Sequence, residues 1–221
     1  MQLKLKKVVN DPRIVEFIKQ SDKVLEVEGY TEHGLRHIGL VATRARYIAR
    51  KVGLTKREQE LAAIAGYTHD IGNFLGRTQH HYWSALLFSQ LYLEKYNHHE
   101  IIAIMQAIAN HDKDEMKLSS ALSAVVVIAD KSDVNRERVL VKGIKNVQQD
   151  IHDRVNYATT ESKLVVSTKK KEIKLALKID SEFVPIMEYF EIFTDRMSYC
   201  RKAAAFLGFK FALEINKVKL L

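Results

Sequence analysis

Histidine and aspartate residues that could bind metal ions stand at the ends of apolar segments along the chain. His69 and Asp70 are adjacent in GYTHDIGNF, and the others are His37, His80, His81, His111 and Asp130. Because each of them terminates or flanks a stretch with helical apolar spacing, we expect their side chains to converge from different helices, as in helix-bundle metal sites. Imidazole and carboxylate ligands without a thiolate suit Mn, Fe, Ni, Zn or Mg.

The adjacent pair would have a specific use in such a centre. Asp70 could place one oxygen on each of two ions, whereas His69 could bind only one. Two ions about 3.5–4 Å apart share a hydroxide and hold phosphate oxygens in line for attack. Taken singly, three of the histidines have structural alternatives: His37 as a surface residue, and His69 and His111 at helix C-termini. Asp130 follows AVVVIA, where a buried carboxylate is costly without a cation, which favours a metal ligand.

Helical apolar spacing extends from the N-terminus to about residue 157 and predicts the elements that carry these residues. The predicted helices cover IGLVATRARYIARKVG, LAAIAGYTHD, HYWSALLFSQLYLEKY, HEIIAIMQAIANH, LSSALSAVVVIADKSD and NRERVLVKGIKNVQQDIHDRVNYA. Thr55 and Glu58 have the spacing of a reciprocal capping box, which predicts the start of the second helix.

The pattern changes after Tyr157. KEIKLALKID alternates apolar and polar residues as a half-buried strand does, and SKLVVS is its expected partner across a lysine-rich turn. PIMEYFEIFTDRMSYCRKAAAFLG predicts a helix, and FKFALEINKVKL predicts a further strand. The predicted fold class is mainly α, with a helical domain over residues 1–157 and a small β-β-α-β subdomain over 158–221.

Composition excludes several classes of protein. The 221 residues are 47% hydrophobic and 28% charged, as in a soluble globular chain, and the one cysteine, Cys200, excludes a disulfide framework. No segment has the roughly 18 uninterrupted apolar residues of a membrane span, and we expect no signal peptide because MQLKLKKVVNDPRIVEF has no long apolar stretch. We therefore expect a cytoplasmic protein with no membrane partner. The net charge of +8 favours anionic partners, phosphates included.

The order of the motifs resembles the signature of the HD-domain metal-dependent phosphohydrolase superfamily. HIGLV matches the family pattern around the first histidine, His37, HDIGN matches it around His69-Asp70, and ADKSD matches it around Asp130. The resemblance therefore covers roughly residues 30–140. It implies a helical bundle that binds two divalent ions. The implied ligands of the first ion are His37, His69, Asp70 and Asp130, and those of the second are Asp70, His80 and His111. His81 is the alternative to His80 as a ligand and otherwise a candidate contact to the substrate phosphate.

Two departures from the family pattern narrow the expectation. Many members have a lysine after HDIG, where this chain has Asn73 and so lacks a phosphate-binding cation at that position. The HD-GYP branch, which acts on cyclic di-GMP, carries His-His-Glu followed by Gly-Tyr-Pro, and HDKDEMKLSS has neither. His98-His99-Glu100 occurs at the start of its predicted helix, where we expect a solvated face. Cyclic di-GMP is therefore not the expected substrate.

The resemblance implies a hydrolase acting on a phosphate ester or anhydride, with a small nucleotide or dinucleotide as the expected substrate. A hydroxide between two ions bridged by Asp70 would attack phosphorus, and both ions would spread the developing charge. Asp133, or a metal-bound water, would handle the leaving-group proton, and Lys131 or Arg136 would steady the phosphate. A solvated charge cluster of Asp133, Arg136 and Arg138 at a helix start is the structural alternative.

Two other functions stay open from the sequence. The basic pI and the lysine-bearing hairpin at Lys169–Lys174 allow a phosphodiesterase acting on RNA or single-stranded DNA, although no interleaved aromatic residues support it. A non-catalytic metal-binding ligand sensor is the third possibility, and it is disfavoured because all six implied ligands are present. The alternating strands would also expose a sheet edge through which a homodimer could form.

Overall fold

The computed structural model describes residues 1–112 and 117–220, so part of the segment HDKDEMKLSS lies outside the described residues. The chain forms two compact units, Met1–Asp130 and Lys131–Leu221. The domain boundary that the sequence predicts after residue 157 stays a prediction, and the two compact units divide earlier in the chain. Among the described residues, no helix combines the length and the apolar composition needed to cross a membrane.

The first unit is built of helices. Its helices are α1 (Leu5–Val9), α2 (Pro12–Val27), α3 (Leu35–Lys51), α4 (Lys56–Thr68), α5 (His80–Tyr92), α6 (His98–Ala109) and α7 (Ala121–Lys131), the last of which ends one residue beyond the unit. A single 3-10 turn, Asn73–Leu75, lies between α4 and α5. The predicted capping box at the start of α4 is confirmed, since Thr55 and Glu58 bond each other's backbone N–H groups.

Small residues allow α3 and α4 to pack closely. A Cβ atom on Gly66 of α4 would lie 3.1 Å from the Val41 carbonyl oxygen and 3.2 Å from the Ala42 backbone nitrogen, both in α3. The α7 residues from Leu122 to Ala129 are all buried, and they include the apolar run AVVVIA. Val41 and Gly66 lie about one helical turn from His37 and His69, so this close contact positions the ends of α3 and α4 that carry these candidate ligands.

The second unit begins with irregular and short helical segments. The single helix predicted over NRERVLVKGIKNVQQDIHDRVNYA is wrong, because the structure has a 3-10 turn at Arg136–Arg138, α8 at Ile144–Val147 and α9 at Ile151–Ala158. Gly143 adopts a φ of 89°, which a right-handed helix cannot contain. Asp150 then starts α9 afresh by accepting hydrogen bonds from the backbone N–H groups of His152 and Asp153.

A four-stranded sheet and one long helix complete the second unit. The strands are β1 (Thr159–Ser167), β2 (Glu172–Ile179), β3 (Lys210–Ile215) and β4 (Val218–Lys219), and α10 (Ile186–Phe206) connects β2 to β3. The sheet order is β1-β2-β3-β4, with β2 and β3 parallel and the other neighbours antiparallel. The fold class predicted from the sequence, mainly α with a small sheet near the C-terminus, is confirmed, and β4 is an additional short strand.

The alternation of apolar and polar residues along β2 determines which face of the sheet α10 covers. Ile173, Leu175, Leu177 and Ile179 are buried, and α10 packs on the sheet through β2 and β3. The side-chain amide of Asn216 extends the ladder beyond β3, donating to the Ile179 carbonyl oxygen and accepting from the Ile179 N–H, each at 2.9 Å.

Candidate metal centre

Four side chains from two helices and the turn after α4 form a first donor group in the first unit. His37 lies in the first turn of α3, His69 follows the last residue of α4, and Asp130 lies at the end of α7. The Nε2 atom of His37 lies 3.3 Å from Nε2 of His69 and 3.4 Å from Oδ1 of Asp130. Oδ2 of Asp70 lies 3.2 Å from Nε2 of His69 and 3.7 Å from Nε2 of His37.

A second donor group lies on the other side of the same carboxylate. Oδ1 of Asp70 is 3.1 Å from Nε2 of His80 and 3.5 Å from Nε2 of His111, and the two Nε2 atoms are 3.0 Å apart. His80 is the first residue of α5, and His111 follows the end of α6. The two oxygens of Asp70 therefore face two different pairs of imidazoles.

Backbone carbonyls orient three of these imidazoles. The Nδ1 atoms of His69, His80 and His111 lie 2.9, 3.0 and 2.7 Å from the carbonyl oxygens of Gly66, Arg77 and Ile108. A carbonyl oxygen can only accept, so each Nδ1 carries a proton, and each ring presents a lone pair at Nε2 whenever that second nitrogen is deprotonated. This is the arrangement in which histidines bind metal ions, with the second nitrogen held by a backbone acceptor.

The turn that carries Asp70 is held in place by α2 and α5. The Gly72 N–H donates to Ser84 Oγ at 2.8 Å, and a Cβ on Gly72 would lie 2.5 Å from the Ser84 backbone nitrogen. Ser21 of α2 donates to the Ile71 carbonyl oxygen and accepts from the Phe74 N–H. The sequence IGN after the doublet thus lets the chain turn tightly against α5.

The electrostatics of the centre favour positive charge between its carboxylates. Burial disfavours the charged form of His69, but Asp70 and Asp130 outweigh burial and raise its pKa from 6.5 to about 10. Burial likewise opposes the Asp70 anion, but His69, His111 and His80 hold its pKa well below 3.8. Burial lowers the pKa of His111 to about 4, with the neighbouring imidazoles of His69 and His80 acting in the same direction.

The donor set fits divalent ions. Atoms that share an ion bound at about 2.1 Å lie about 3.0–3.5 Å apart, close to the spacings within both groups. Asp70 is only 3% exposed, and its Oδ1 has no hydrogen-bond donor of normal geometry among the described residues. A buried anionic oxygen is costly without a cation in direct contact, and a metal ion would supply one, since the Arg77 Nη1 atom is 3.7 Å away. All six residues implied as ligands are therefore brought together, with Asp70 common to both groups.

Three further histidines considered in the sequence lie outside the two groups. The His81 ring packs against Tyr82 at 4.2 Å, and its centroid is 6.2 Å from that of His111. The structure thus brings His80, and not His81, to Asp70. His98 and His99 are exposed at the start of α6, as expected, and the neighbouring Glu100 pairs with Arg57.

Arg77 is a residue at the centre that the sequence reasoning missed. Its Nη1 donates to Asn73 Oδ1 at 3.1 Å and lies 3.0 Å from His80 Nε2, and its Nη2 donates to Asp112 Oδ2 at 3.0 Å. Nη1 is also 3.7 Å from Asp70 Oδ1. No motif identifies this arginine, and its only signal is a basic residue in the loop between the HD doublet and His80.

Three residues predicted to act on the substrate lie in the second unit. Lys131 and Asp133 are buried, and Arg138 contacts Asp133 with Nη1 at 3.2 Å from its carbonyl oxygen and 3.7 Å from Oδ2. The Arg136 guanidinium lies 4.3 Å from the Tyr157 ring centroid, and its Nε donates to the Tyr157 carbonyl oxygen. The catalytic roles of Lys131 and Asp133 and the phosphate contact of Arg136 stay predictions.

The basic hairpin on which the nucleic-acid alternative depends is engaged within its own unit. The Lys171 ammonium lies 4.9 Å from the Phe209 ring centroid, and Lys174 forms an ion pair with Glu214 at 2.8 Å. Two of the hairpin cations thus have partners on β3 or next to it, which reduces the charge available to a phosphate backbone.

Comparison with known proteins adds three matches. The family model of the HD domain matches residues 34–135. An uncharacterised protein of Methanocaldococcus jannaschii is 24% identical over 199 residues, which cover 79% of this chain and 75% of that protein. A crystal structure of a predicted HD superfamily hydrolase from an uncultured Thermotogales bacterium has 21% identity and a TM-score of 0.44, over 55% of this chain and 67% of that one.

Proposed function

Because the chain contains an HD domain and so belongs to the HD superfamily of metal-dependent hydrolases, we propose that it hydrolyses a phosphate ester or anhydride of a small nucleotide or dinucleotide. One observation carries the proposal: the two oxygens of buried Asp70 face separate pairs of imidazoles, His37 with His69 and His80 with His111. A carboxylate in that position suits two ions side by side, and such pairs recur in phosphate hydrolysis.

In this proposal the chain holds two divalent ions through residues with separate tasks. His37, His69 and Asp130 would hold the first ion, His80 and His111 would hold the second, and Asp70 would contribute to both. Ions at these positions would lower the pKa of a water molecule and polarise the phosphoryl oxygens of the substrate.

The protein residues fix the geometry in which that chemistry occurs. Carbonyl groups of Gly66, Arg77 and Ile108 keep Nδ1 of three histidines protonated, so their Nε2 atoms stay directed at the ions. The ligands are buried except for Asp130, whose side chain is 13% exposed, so bulk water is largely excluded. Asp133 is the proposed acid for the leaving group, with Lys131, Arg136 and His81 as proposed contacts to phosphate.

The proposal is tested by metal content and phosphate release measured on the same full-length samples. We expect about two ions per chain, and phosphate release from members of a nucleotide and dinucleotide panel that stops when a chelator is added. Asp70→Ala should lose most of the metal and the activity. Asp195→Ala, which removes an exposed carboxylate of α10, is the matched control and should behave as the unaltered protein.

Either of two results would reject the proposal. No metal after reconstitution with manganese or iron would indicate a ligand-binding role instead of hydrolysis. Full metal content without phosphate release from any small nucleotide would exclude the proposed substrate class, and cleavage of RNA or single-stranded DNA would then be tested in its place.

A further inference from the structure

Arg77 brings a permanent positive charge to the second donor group. Its Nη1 lies 3.0 Å from His80 Nε2 and 3.7 Å from Asp70 Oδ1, while the ligand histidines of that group are at most 2% exposed. The Arg77 side chain itself is 24% exposed. The guanidinium therefore contacts the buried donor atoms from a side chain that is partly open to solvent and so accessible to a ligand.

Two neighbours fix the guanidinium in this position. Asn73 Oδ1 accepts from Nη1, and Asp112 Oδ2 accepts from Nη2. Asn73 is fully buried and also donates from Nδ2 to the Asp70 carbonyl oxygen, so the turn that carries Asp70 positions the arginine as well. Asn73, the residue that follows HDIG in this chain, thus holds the guanidinium of Arg77, four positions later.

The guanidinium keeps hydrogen-bond donors for a ligand. Among the described residues, three of its five N–H groups have acceptors: Asn73, His80 and Asp112. An ion bound by His80 would use the Nε2 lone pair that now faces Nη1, which would release a further N–H group. A planar guanidinium with free N–H groups matches the oxygens of a phosphate group.

We propose that Arg77 binds the substrate phosphate beside the second donor group, held there by Asn73 and Asp112. The inference rests on the proposed function and adds to it the residue that recognises the anion. It also explains how the chain provides a cation near the HD doublet without the lysine.

The test is the binding of inorganic phosphate to the manganese-loaded full-length protein, measured by calorimetry together with metal content. Arg77→Met should weaken phosphate binding about tenfold or more, because a charge-assisted hydrogen bond is lost. Arg77→Lys should fall between Arg77→Met and the unaltered protein, since it keeps the charge and loses the planar fork. Metal content should stay the same in both variants.

Arg57→Met is the matched control. Arg57 is similarly exposed, at 21%, and its guanidinium makes two 2.6 Å hydrogen bonds to Glu100. Phosphate affinity should be unchanged in this variant, although an ion pair of the same kind is lost.

Several outcomes would overturn the inference. Unchanged phosphate affinity in Arg77→Met, or an equal loss in Arg57→Met, would show that Arg77 does not bind the anion specifically. A rise in metal content in Arg77→Met would show that Arg77 takes the place of an ion, and a fall would show that it only positions the ligands. If Arg77 proves essential for phosphate binding but no nucleotide releases phosphate, the proposed function fails and the anion-binding role of Arg77 stands.

Discussion

Nε2 of His80 lies 3.0 Å from Nε2 of His111, and the Nδ1 atom of each ring faces a backbone carbonyl oxygen. When both rings are neutral, the lone pairs of the two Nε2 atoms lie close together next to an anionic oxygen of Asp70, and Arg77 Nη1 lies 3.0 Å from the His80 nitrogen. That arrangement is unfavourable in a buried site unless a cation lies between the three atoms. We therefore expect a metal ion to bind at this pair of histidines.

His111→Ala should reduce the metal content from about two ions per chain to about one. The variant removes one donor of the second group and leaves His37, His69, Asp70 and Asp130 intact. Plasma mass spectrometry on purified full-length protein measures the ratio. His98→Ala, which removes an exposed histidine of the same helix region, should keep the full content. An unchanged ratio in His111→Ala would argue against the second ion.

Gly72→Ala should destabilise the protein by about 1–3 kcal/mol and lower its metal content, because the added methyl group overpacks the turn beside Asp70. The new Cβ would lie 2.5 Å from the Ser84 backbone nitrogen and 2.7 Å from the His80 carbonyl oxygen. Either the turn or the start of α5 must shift, and both carry ligands. Denaturant unfolding and metal analysis measure the two effects.

Gly39→Ala is the matched control for the glycine prediction. Gly39 lies inside α3, and a Cβ there would meet no atom of the described residues within 4 Å outside the backbone of its own helix. The substitution should stabilise the protein by about 0.5–1 kcal/mol, since alanine favours a helix interior more than glycine does. A loss of stability in this variant as large as in Gly72→Ala would contradict the packing argument.

Asp11→Asn should destabilise the protein by about 1–2 kcal/mol at neutral pH, because Asp11 is a hydrogen-bonded anion. The Arg13 side chain, supported by the Tyr92 hydroxyl group, lowers the Asp11 pKa from 3.8 to about 2. The stabilisation is therefore fully present above pH 3.8 and is lost as pH falls through about 2. Asparagine also caps helices well, so the variant isolates the charge from the cap of α2.

The pH dependence supplies the check on Asp11. The free energies of unfolding of Asp11→Asn and the unaltered protein should differ at neutral pH and converge as the pH falls from 3.8 to about 2. A difference that is independent of pH would show that packing, and not the carboxylate charge, stabilises this end of α2.

Tyr189→Phe should leave stability unchanged or raise it by about 1 kcal/mol, because the buried hydroxyl group of Tyr189 has no hydrogen-bond partner among the described residues. Tyr92→Phe is the contrasting variant, since the Tyr92 hydroxyl group donates to Asp11 Oδ2 at 2.9 Å. That variant should lose about 1 kcal/mol. Thermal unfolding of the two variants measures the difference, and equal losses would disprove it.

The helical part of the fold could be predicted well from the sequence because short-range patterns of residues mark where its helices lie. The Thr55 capping box, the apolar run before Asp130 and the positions of the candidate ligands at helix ends all depend on short-range patterns. The convergence of six ligands could be proposed because the motifs occur in family order. Their distances, and the separate directions of the two Asp70 oxygens, come only from tertiary packing.

Two features of the structure could not be predicted from the sequence. The segment from residue 135 to 158 has helical apolar spacing, but Gly143 and the Asp150 cap divide it, and local breakers outweighed periodicity there. Arg77 lies in a loop, and its place at the centre depends on contacts with Asn73, His80 and Asp112, the last of them 35 positions away in the sequence. No pattern of residue types contains that information.

The parallel pairing of β2 and β3 has a consequence for the order in which the second unit folds. The β1–β2 hairpin closes through a short turn. Ile173 of β2 can pair with Phe211 of β3 only after the whole of α10, which separates the two strands in the sequence, has been synthesised. Loop closure over that length is slower than hairpin formation. During synthesis, β2 is therefore complete while its second edge still lacks β3, and the unpaired backbone N–H and C=O groups of this edge can pair with another chain.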